Sequence, residues 1–313
     1  MPQFQPVPSS FGALKDQVVV LTGGANGIGL EIVRKLYQAG AHVVFGDIDE
    51  VACQAAVDGL KSEIPSSSGL FFLRTDVRRY EDNLALFKCA YEKYGRVDHA
   101  LSIAGVTEQA GKNWFDPKLD LSSVTAAPST DLVDINLTGV LYFARIAAVY
   151  LRQGNDGRAQ DKSICLLGSV ASFKEQGGLF VYQPAKHGVL GLVRSTRKFL
   201  DRAHGIRINT VCPSATRTRM ATAAVADVWA AQGVRLNDPR AVADYVLTLT
   251  SVPRDPHVGN VTGLAVFVEA DKGWEIEKDL DRCDASWLGE EMSRNAAKIE
   301  AALASGTAWS DPQ

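Results

Sequence analysis

The sequence lacks a charge excess of either sign, paired cysteines and a basic leader. Lys and Arg total 33 against 36 Asp and Glu, a formal net charge of −3, which offers no general attraction to nucleic acid or to an anionic membrane. The five cysteines (Cys53, Cys89, Cys165, Cys212, Cys283) are scattered, odd in number and never in CxxC spacing. That pattern argues against a disulfide framework or a zinc site and for reduced thiols inside a cell. His42, His99, His187, His204 and His257 show no ligand spacing, so no metal is expected. The opening MPQFQPVPSSFGALKD has no basic segment leading into an apolar run. No apolar stretch is read as reaching the roughly 20 residues of a membrane helix. The expectation is a soluble, cytoplasmic protein, with residues 1–15 as an arm laid over the surface or mobile.

Apolar residues, in contrast, are plentiful: 46% of 313 positions, enough for a sizeable core. From Asp16 onward, short β-branched runs alternate with longer amphipathic ones. Strands are expected at 17–23, 41–47, 69–77, 97–105, 162–169, 206–212 and 263–269. Helices are expected at 27–40, 50–64, 80–95, 131–153 and 182–203. Strands apolar on both faces and separated by helices imply an α/β fold with a doubly wound parallel sheet of about seven strands, covered on both sides. No linker or repeat divides it, so residues 16–270 are read as one domain. Three excursions break the rhythm: an insertion at 107–130, a second at 214–239, and a charged, partly helical extension at 271–313. The first two follow strand ends, where ligands bind in such sheets.

TGGANGIG (22–29) lies between the first strand and the first helix. Gly23, Gly27 and Gly29 permit positive φ and let backbone N–H groups approach a pyrophosphate at the helix N-terminus, with Asn26 and Ile28 in the same loop. Asp47 ends the second strand, 18 residues past Gly29, near the spacing of a carboxylate that holds the adenosine ribose. A carboxylate there repels a 2′-phosphate, and Asn26 replaces a basic residue, so NAD is favoured over NADP. Asp76 and Val77, after the third strand, are candidates for the adenine edge. Tyr182 and Lys186 in VYQPAKHGVL (181–190) are four residues apart, hence on one helix face; alone, that pair is either catalytic or an ordinary turn of helix.

In this order and spacing, TGGANGIG, Asp47, Asp76, the IAG of 103–105, Asn136, Ser169, YQPAK, Asn209, Pro213 and Thr262-Gly263 resemble the short-chain dehydrogenases/reductases. The likeness spans about residues 16–269 and implies a Rossmann-type fold. By that resemblance Tyr182 is the general acid/base and Lys186 stabilises its phenolate and binds the nicotinamide ribose. Ser169 orients the substrate oxygen, and Asn136 holds a water that links Lys186 to solvent. Ala104, Gly105, Pro213 and Thr218 join the cofactor-binding set. Three positions depart from the family pattern: Ile103 stands where an asparagine is usual, Ser214 follows Pro213 in place of glycine, and EADKGWEIE (269–277) replaces a glycine pair.

The implied activity is oxidation of a secondary alcohol on a bulky hydrophobic substrate, a terpenoid or polyketide being the favoured guess. The look is of members similar to 15-hydroxyprostaglandin dehydrogenase and of fungal members from terpenoid and polyketide pathways. Met220, Val225 and Trp229 suggest an apolar lid, with Trp114 and Phe115 adding to the wall. Homo-oligomers are usual in the family, through helices 131–153 and 182–203; the tail favours a dimer over a tetramer. The alternatives are a ketone reductase using NADH or NADPH, and a dinucleotide-binding sensor or scaffold without turnover.

Overall fold

The computed structural model describes residues 3–64, 69–108, 113–153, 161–221, 223–255 and 259–304. In chain order its strands are β1 (Gln3–Phe4), β2 (Val18–Thr22), β3 (His42–Asp47), β4 (Leu70–Arg74), β5 (His99–Ser102) and β6 (Lys162–Leu167). They continue as β7 (Ile206–Pro213), β8 (Arg254–Asp255), β9 (Gly259–Asn260), β10 (Ala265–Glu269) and β11 (Lys272–Glu275). The helices are α1 (Gly27–Gln38), α2 (Glu50–Glu63), α3 (Tyr80–Tyr94), α4 (Asp131–Val133), α5 (Gly139–Leu151) and α6 (Tyr182–His204). After them come α7 (Ala223–Ala231), α8 (Pro239–Ser251), α9 (Glu277–Leu288) and α10 (Glu290–Ala304).

The main sheet has the order β1-β11-β10-β7-β6-β5-β2-β3-β4. Its seven strands from β10 to β4 are parallel, and they are the seven runs read from the sequence. Every residue of β2 and β7 is buried, as strands covered on both faces must be. Ile32, Leu36 and Tyr245 lie in the apolar layer on one side, Phe87, Phe143 and Val189 in the layer on the other.

Two strands of this sheet were not expected, nor was the separate two-stranded sheet of β8 and β9. Ala270 (φ +49°) and Asp271 (φ +65°) form a two-residue turn that folds the chain back, so β11 pairs antiparallel with β10. Two positive φ angles are what a tight hairpin needs. Here the turn is held from outside: Asn237 Oδ1 accepts Asp271 N–H at 2.9 Å, and the Asp271 carboxylate accepts Asp238 N–H at 2.6 Å. EADKGWEIE therefore holds the turn and the return strand of a hairpin, and the extension expected from residue 271 begins as part of the sheet. The N-terminal arm then adds β1 to β11. Phe4 and Leu14 are each only 1% exposed, so the arm belongs to the core rather than to the surface.

The expected helix over 131–153 is interrupted: a π-helical turn, Asp134–Thr138, separates α4 from α5. By length and composition Asp131–Leu151 qualifies as a membrane span, which corrects the reading that no stretch is apolar enough. In the fold α5 is a core helix, its Phe143 ring 5.0 Å from that of Phe87 on α3. Helices α9 and α10 are tied to α6 by the Arg194–Glu277, Arg197–Asp281 and Lys198–Glu300 ion pairs. Part of the α6 surface expected to meet a partner copy is thus taken by the chain's own extension.

At the amino end of the sheet sits a buried ion pair. Lys162 Nζ donates to Asp98 Oδ1 at 2.5 Å and to Val97 O at 2.8 Å, while Asp98 Oδ2 accepts Val18 N–H at 2.8 Å. Burial pushes the Asp98 carboxyl up, but hydrogen bonds from Arg96 and Lys162 outweigh it and hold the group below its ordinary range.

Candidate active site

The glycine loop joins β2 to α1 at the carboxyl end of the sheet. Gly23 has φ +75°, and a Cβ there would stand 2.6 Å from Ala104 N. A Cβ on Gly29 would meet Gly23 O at 1.8 Å. Only glycine lets the loop, the start of α1 and Ala104 approach backbone to backbone. Asn26 is the N-cap residue of α1 but makes no side-chain cap bond, and the first turn carries no acid. The helix N-terminus thus presents N–H groups and positive dipole to an anion, as a pyrophosphate requires. Thr218 stands over this loop, its methyl 3.1 Å from where a Cβ on Gly27 would lie. Pro213 ends β7 in the buried floor, and Ile28 packs into the core.

Asp47 ends β3 beside the loop: Oδ2 accepts Ala25 N–H at 3.1 Å and Oδ1 accepts Asp49 N–H at 3.2 Å. Asp76 is committed to Arg78, whose Nε and Nη2 reach its carboxylate at 2.9 and 2.6 Å. Those bonds hold the Asp76 carboxyl below its ordinary range. Arg78 also binds Asp131 at 2.6 Å, tying this corner to the end of the insertion. Val77 packs against the start of α5, its carbonyl 2.8 Å from where a Cβ on Gly139 would lie. The close-packed glycine backbone, the uncapped helix end and the adjacent carboxylate fit a dinucleotide.

The catalytic candidates meet next to this cradle. Ser169 follows β6 and caps the short turn Val170–Ser172: Oγ accepts Ala171 N–H at 3.2 Å, and Ser169 N–H donates to Ser172 Oγ at 3.1 Å. Tyr182 is the first residue of α6 and Lys186 follows one turn later; both are buried. Burial pushes the Tyr182 phenol up, opposed by a hydrogen bond with the Ser169 hydroxyl. Burial pushes Lys186 down to about 8. Its Nζ donates to Leu167 O at 2.8 Å and lies 5.7 Å from the centre of the Tyr182 ring.

Asn136 lies in the π-helical turn, a distortion common at functional sites. Its Nδ2 donates to Val106 O at 2.7 Å and its Oδ1 accepts Val106 N–H at 2.9 Å. A water bound at Asn136 would therefore meet the main-chain carbonyl or the amide's remaining hydrogen and lone pair. A Cβ on Gly105 would stand 2.9 Å from Asn136 Oδ1 and 3.6 Å from Lys186 Nζ, so the two flank this glycine. Ile103 enters the core, and the loop after it takes its support from Asn136. Ser214 is held by Asn237, whose Nδ2 reaches Ser214 Oγ at 3.2 Å.

Two residues here were not singled out by sequence. Asn237 bonds the ends of β7 and β10 and closes the second excursion at the Thr216–Asn237 bridge. Glu108 accepts backbone N–H groups of Val181 and Tyr182. On the first excursion, Phe115 is 64% exposed and its ring lies 5.4 Å from that of Phe180. Met220 and Val228 are also exposed, while Trp114 and Trp229 are half-buried. Residues 109–112, the Val225 side chain, His257 and residues 305–313 lie outside the described residues.

The chain is similar to known proteins in sequence and in fold. The family model described as short chain dehydrogenase matches residues 17–229. A short-chain dehydrogenase/reductase of Acremonium egyptiacum, ascJ, is 36% identical over 231 residues, 74% of this chain and 72% of that protein. The 3beta-hydroxysteroid dehydrogenase 2 of Eggerthella lenta is 26% identical over 88% of this chain and 95% of its own. Among solved structures, gox2181 superposes with a TM-score of 0.68 at 26% identity, covering 84% of this chain and 98% of that one. A sheet of this order, a glycine loop against Ala104, and Ser169, Tyr182 and Lys186 gathered beside it make the chain a member of the short-chain dehydrogenase family.

Proposed function

We propose that the protein is an NAD-dependent dehydrogenase that oxidises a secondary alcohol on a bulky hydrophobic substrate to a ketone. The observation that carries this reading is Tyr182, buried next to the Ser169 hydroxyl with Lys186 one turn away. The Tyr182 phenolate takes the hydroxyl proton while the Ser169 hydroxyl holds the substrate oxygen and the charge that develops on it. Nicotinamide, when bound, accepts the hydride from the carbinol carbon. Lys186, pushed down to about 8, is still largely a cation near neutral pH, so its field favours the phenolate.

Asp47 supports NAD, because its carboxylate faces the loop backbone where a 2′-phosphate would be repelled. Cellular NAD is mostly oxidised, which supports the alcohol-to-ketone direction. The exposed apolar side chains on the two excursions, Phe115 beside Phe180 and Met220 with Val228, support a hydrophobic substrate. The steroid dehydrogenase among the relatives points to the same class.

The test is Tyr182→Phe, assayed with NAD against a panel of hydrophobic secondary alcohols, alongside fluorescence titration with NADH and NADPH. Turnover is expected to fall by at least about a hundredfold while NADH binding stays within about twofold, tighter than NADPH. Unchanged turnover overturns the role of Tyr182. Tighter NADPH overturns the role of Asp47 and favours a ketone reductase. Absence of turnover in the unaltered protein, with NADH bound, favours a sensor.

A further inference from the structure

Helix α6 begins at the catalytic tyrosine, yet it supplies no cap of its own. Val181, at the N-cap position, makes no side-chain cap bond, and the first turn has no acidic residue. Gln183 N–H is satisfied by Leu179 O at 3.0 Å, and Pro184 has no N–H to satisfy. The remaining two, Val181 N–H and Tyr182 N–H, both donate to Glu108 Oε1, at 2.5 and 3.1 Å, from 73 and 74 residues away. A carboxylate at that position gains from charge-assisted hydrogen bonds and from the positive end of the helix.

Glu108 is connected on its other side as well. Two residues before it, Val106 is bonded through both its N–H and its C=O to the side chain of Asn136. The segment 106–108 therefore spans from Asn136 to the backbone of Tyr182, two of the four catalytic candidates. Glu108 also stands at the start of the insertion, and Phe115 within that insertion rests on Phe180, two residues before Tyr182. The substrate wall and the general base share this attachment.

We infer that Glu108 is a positioning residue: its carboxylate fixes the Tyr182 backbone, and so the reach of the phenol toward Ser169 and the substrate. The inference rests on the reading of Tyr182 as the general base. A mere helix cap would lower stability when removed and leave the rate of the folded enzyme alone. Positioning affects the rate itself, since a displacement of about 1 Å can cost about a hundredfold.

The experiment compares Glu108→Ala, Glu108→Asp and Glu108→Gln for kcat, KM and NADH affinity, using the best alcohol of the panel. Asp keeps the charge but is one methylene short; Gln loses the charge but keeps an oxygen that accepts both N–H groups. Ala and Asp are expected to lower kcat by about 10- to 100-fold, with NADH affinity within about twofold, and Gln to recover most of the rate. A kcat at the unaltered level in Asp or Ala overturns the inference, as does a loss of NADH affinity equal to the loss of rate. Should Ala fail to fold, Asp and Gln carry the same decision. Amide exchange over residues 180–186 separates this claim from the dehydrogenase reading. If the unaltered protein turns over no alcohol, that reading falls; faster exchange in Asp then still supports the clasp, and unchanged exchange removes it.

Discussion

Burial moves titrations in opposite directions according to the charge each group would carry. It raises the Tyr182 phenol and lowers Lys186, so the two move apart, and the phenolate of the proposed proton transfer depends on positive charge beside it and not on burial. The same force acts on His99, outside the site. His99 is buried at the start of β5, its Nδ1 2.9 Å from Ser163 Oγ, and burial pushes it down to about 4. A histidine that is harder to protonate when folded makes the unfolded state bind more protons between about 6.5 and 4. Stability contributed by neutral His99 is therefore complete above about 6.5 and lost as pH falls toward 4, by about 3 kcal/mol in all. His99→Asn is expected to flatten the fall of Tm between those pH values relative to the unaltered protein. Glu275, raised by burial, acts in both proteins alike, so the difference profile isolates the histidine. Parallel profiles would show that His99 does not titrate there. At this scale the sequence displayed what is local: Tyr182, Lys186 and Ser169 lie within one stretch, and the glycine loop reads as a unit. Glu108 had no such signature, because its partners are N–H groups 73 and 74 residues away that any sequence would carry.

Elements were legible where their apolar pattern was continuous. All seven parallel strands were: β2 and β7, buried throughout, leave runs such as VVVLT, and the edge strand β4, only partly buried, still carries the apolar run LFFL. The π-helical turn around Asn136 was not, since its residues have the same spacing as the helix on either side. The edge was missed for a different reason. Strands β11 and β1 are short, and the Ala270-Asp271 turn lacks the Asn-Gly or Asp-Gly signal of a tight hairpin. What holds them is tertiary: Asn237 and Asp271 at the turn, and Phe4, 1% exposed, near Tyr245. Phe4→Ala is expected to cost about 3 kcal/mol, at the low end for a buried phenylalanine because the strand is terminal. Five strands lie between β1 and β2, so NADH affinity should stay within about twofold while Tm falls. A Tm shift below about a degree would mean that the arm does not add to the sheet in solution.

For the molecule as a whole, the five thiols report whether both apolar layers and the floor of the site are closed at once. Cys53 on α2, Cys165 on β6 and Cys212 on β7 are buried, and burial pushes them up to about 12, 12 and 11. Cys89 on α3 is half-buried and raised by burial, while Cys283 on α9 is exposed. Only the thiolate attacks a disulfide reagent, so both burial and the raised pKa protect the first three. With an aromatic disulfide reagent near pH 8, one thiol is expected to react fast, a second slowly, and five once guanidinium is added. Cys212 is the informative one. Its Sγ is 2.7 Å from where a Cβ on Gly168 would lie, directly beneath the strand end that leads into Ser169. It cannot be labelled unless the floor under Ser169, Tyr182 and Lys186 opens. Three or more fast thiols in the native protein, with Cys212 among them by peptide mapping, would show that this floor opens in solution, and the burial that sets the Tyr182 and Lys186 titrations would then not hold. A slow Cys212 would place Ser169, Tyr182 and Lys186 over a closed floor, in the burial that raises the phenol and lowers the amine.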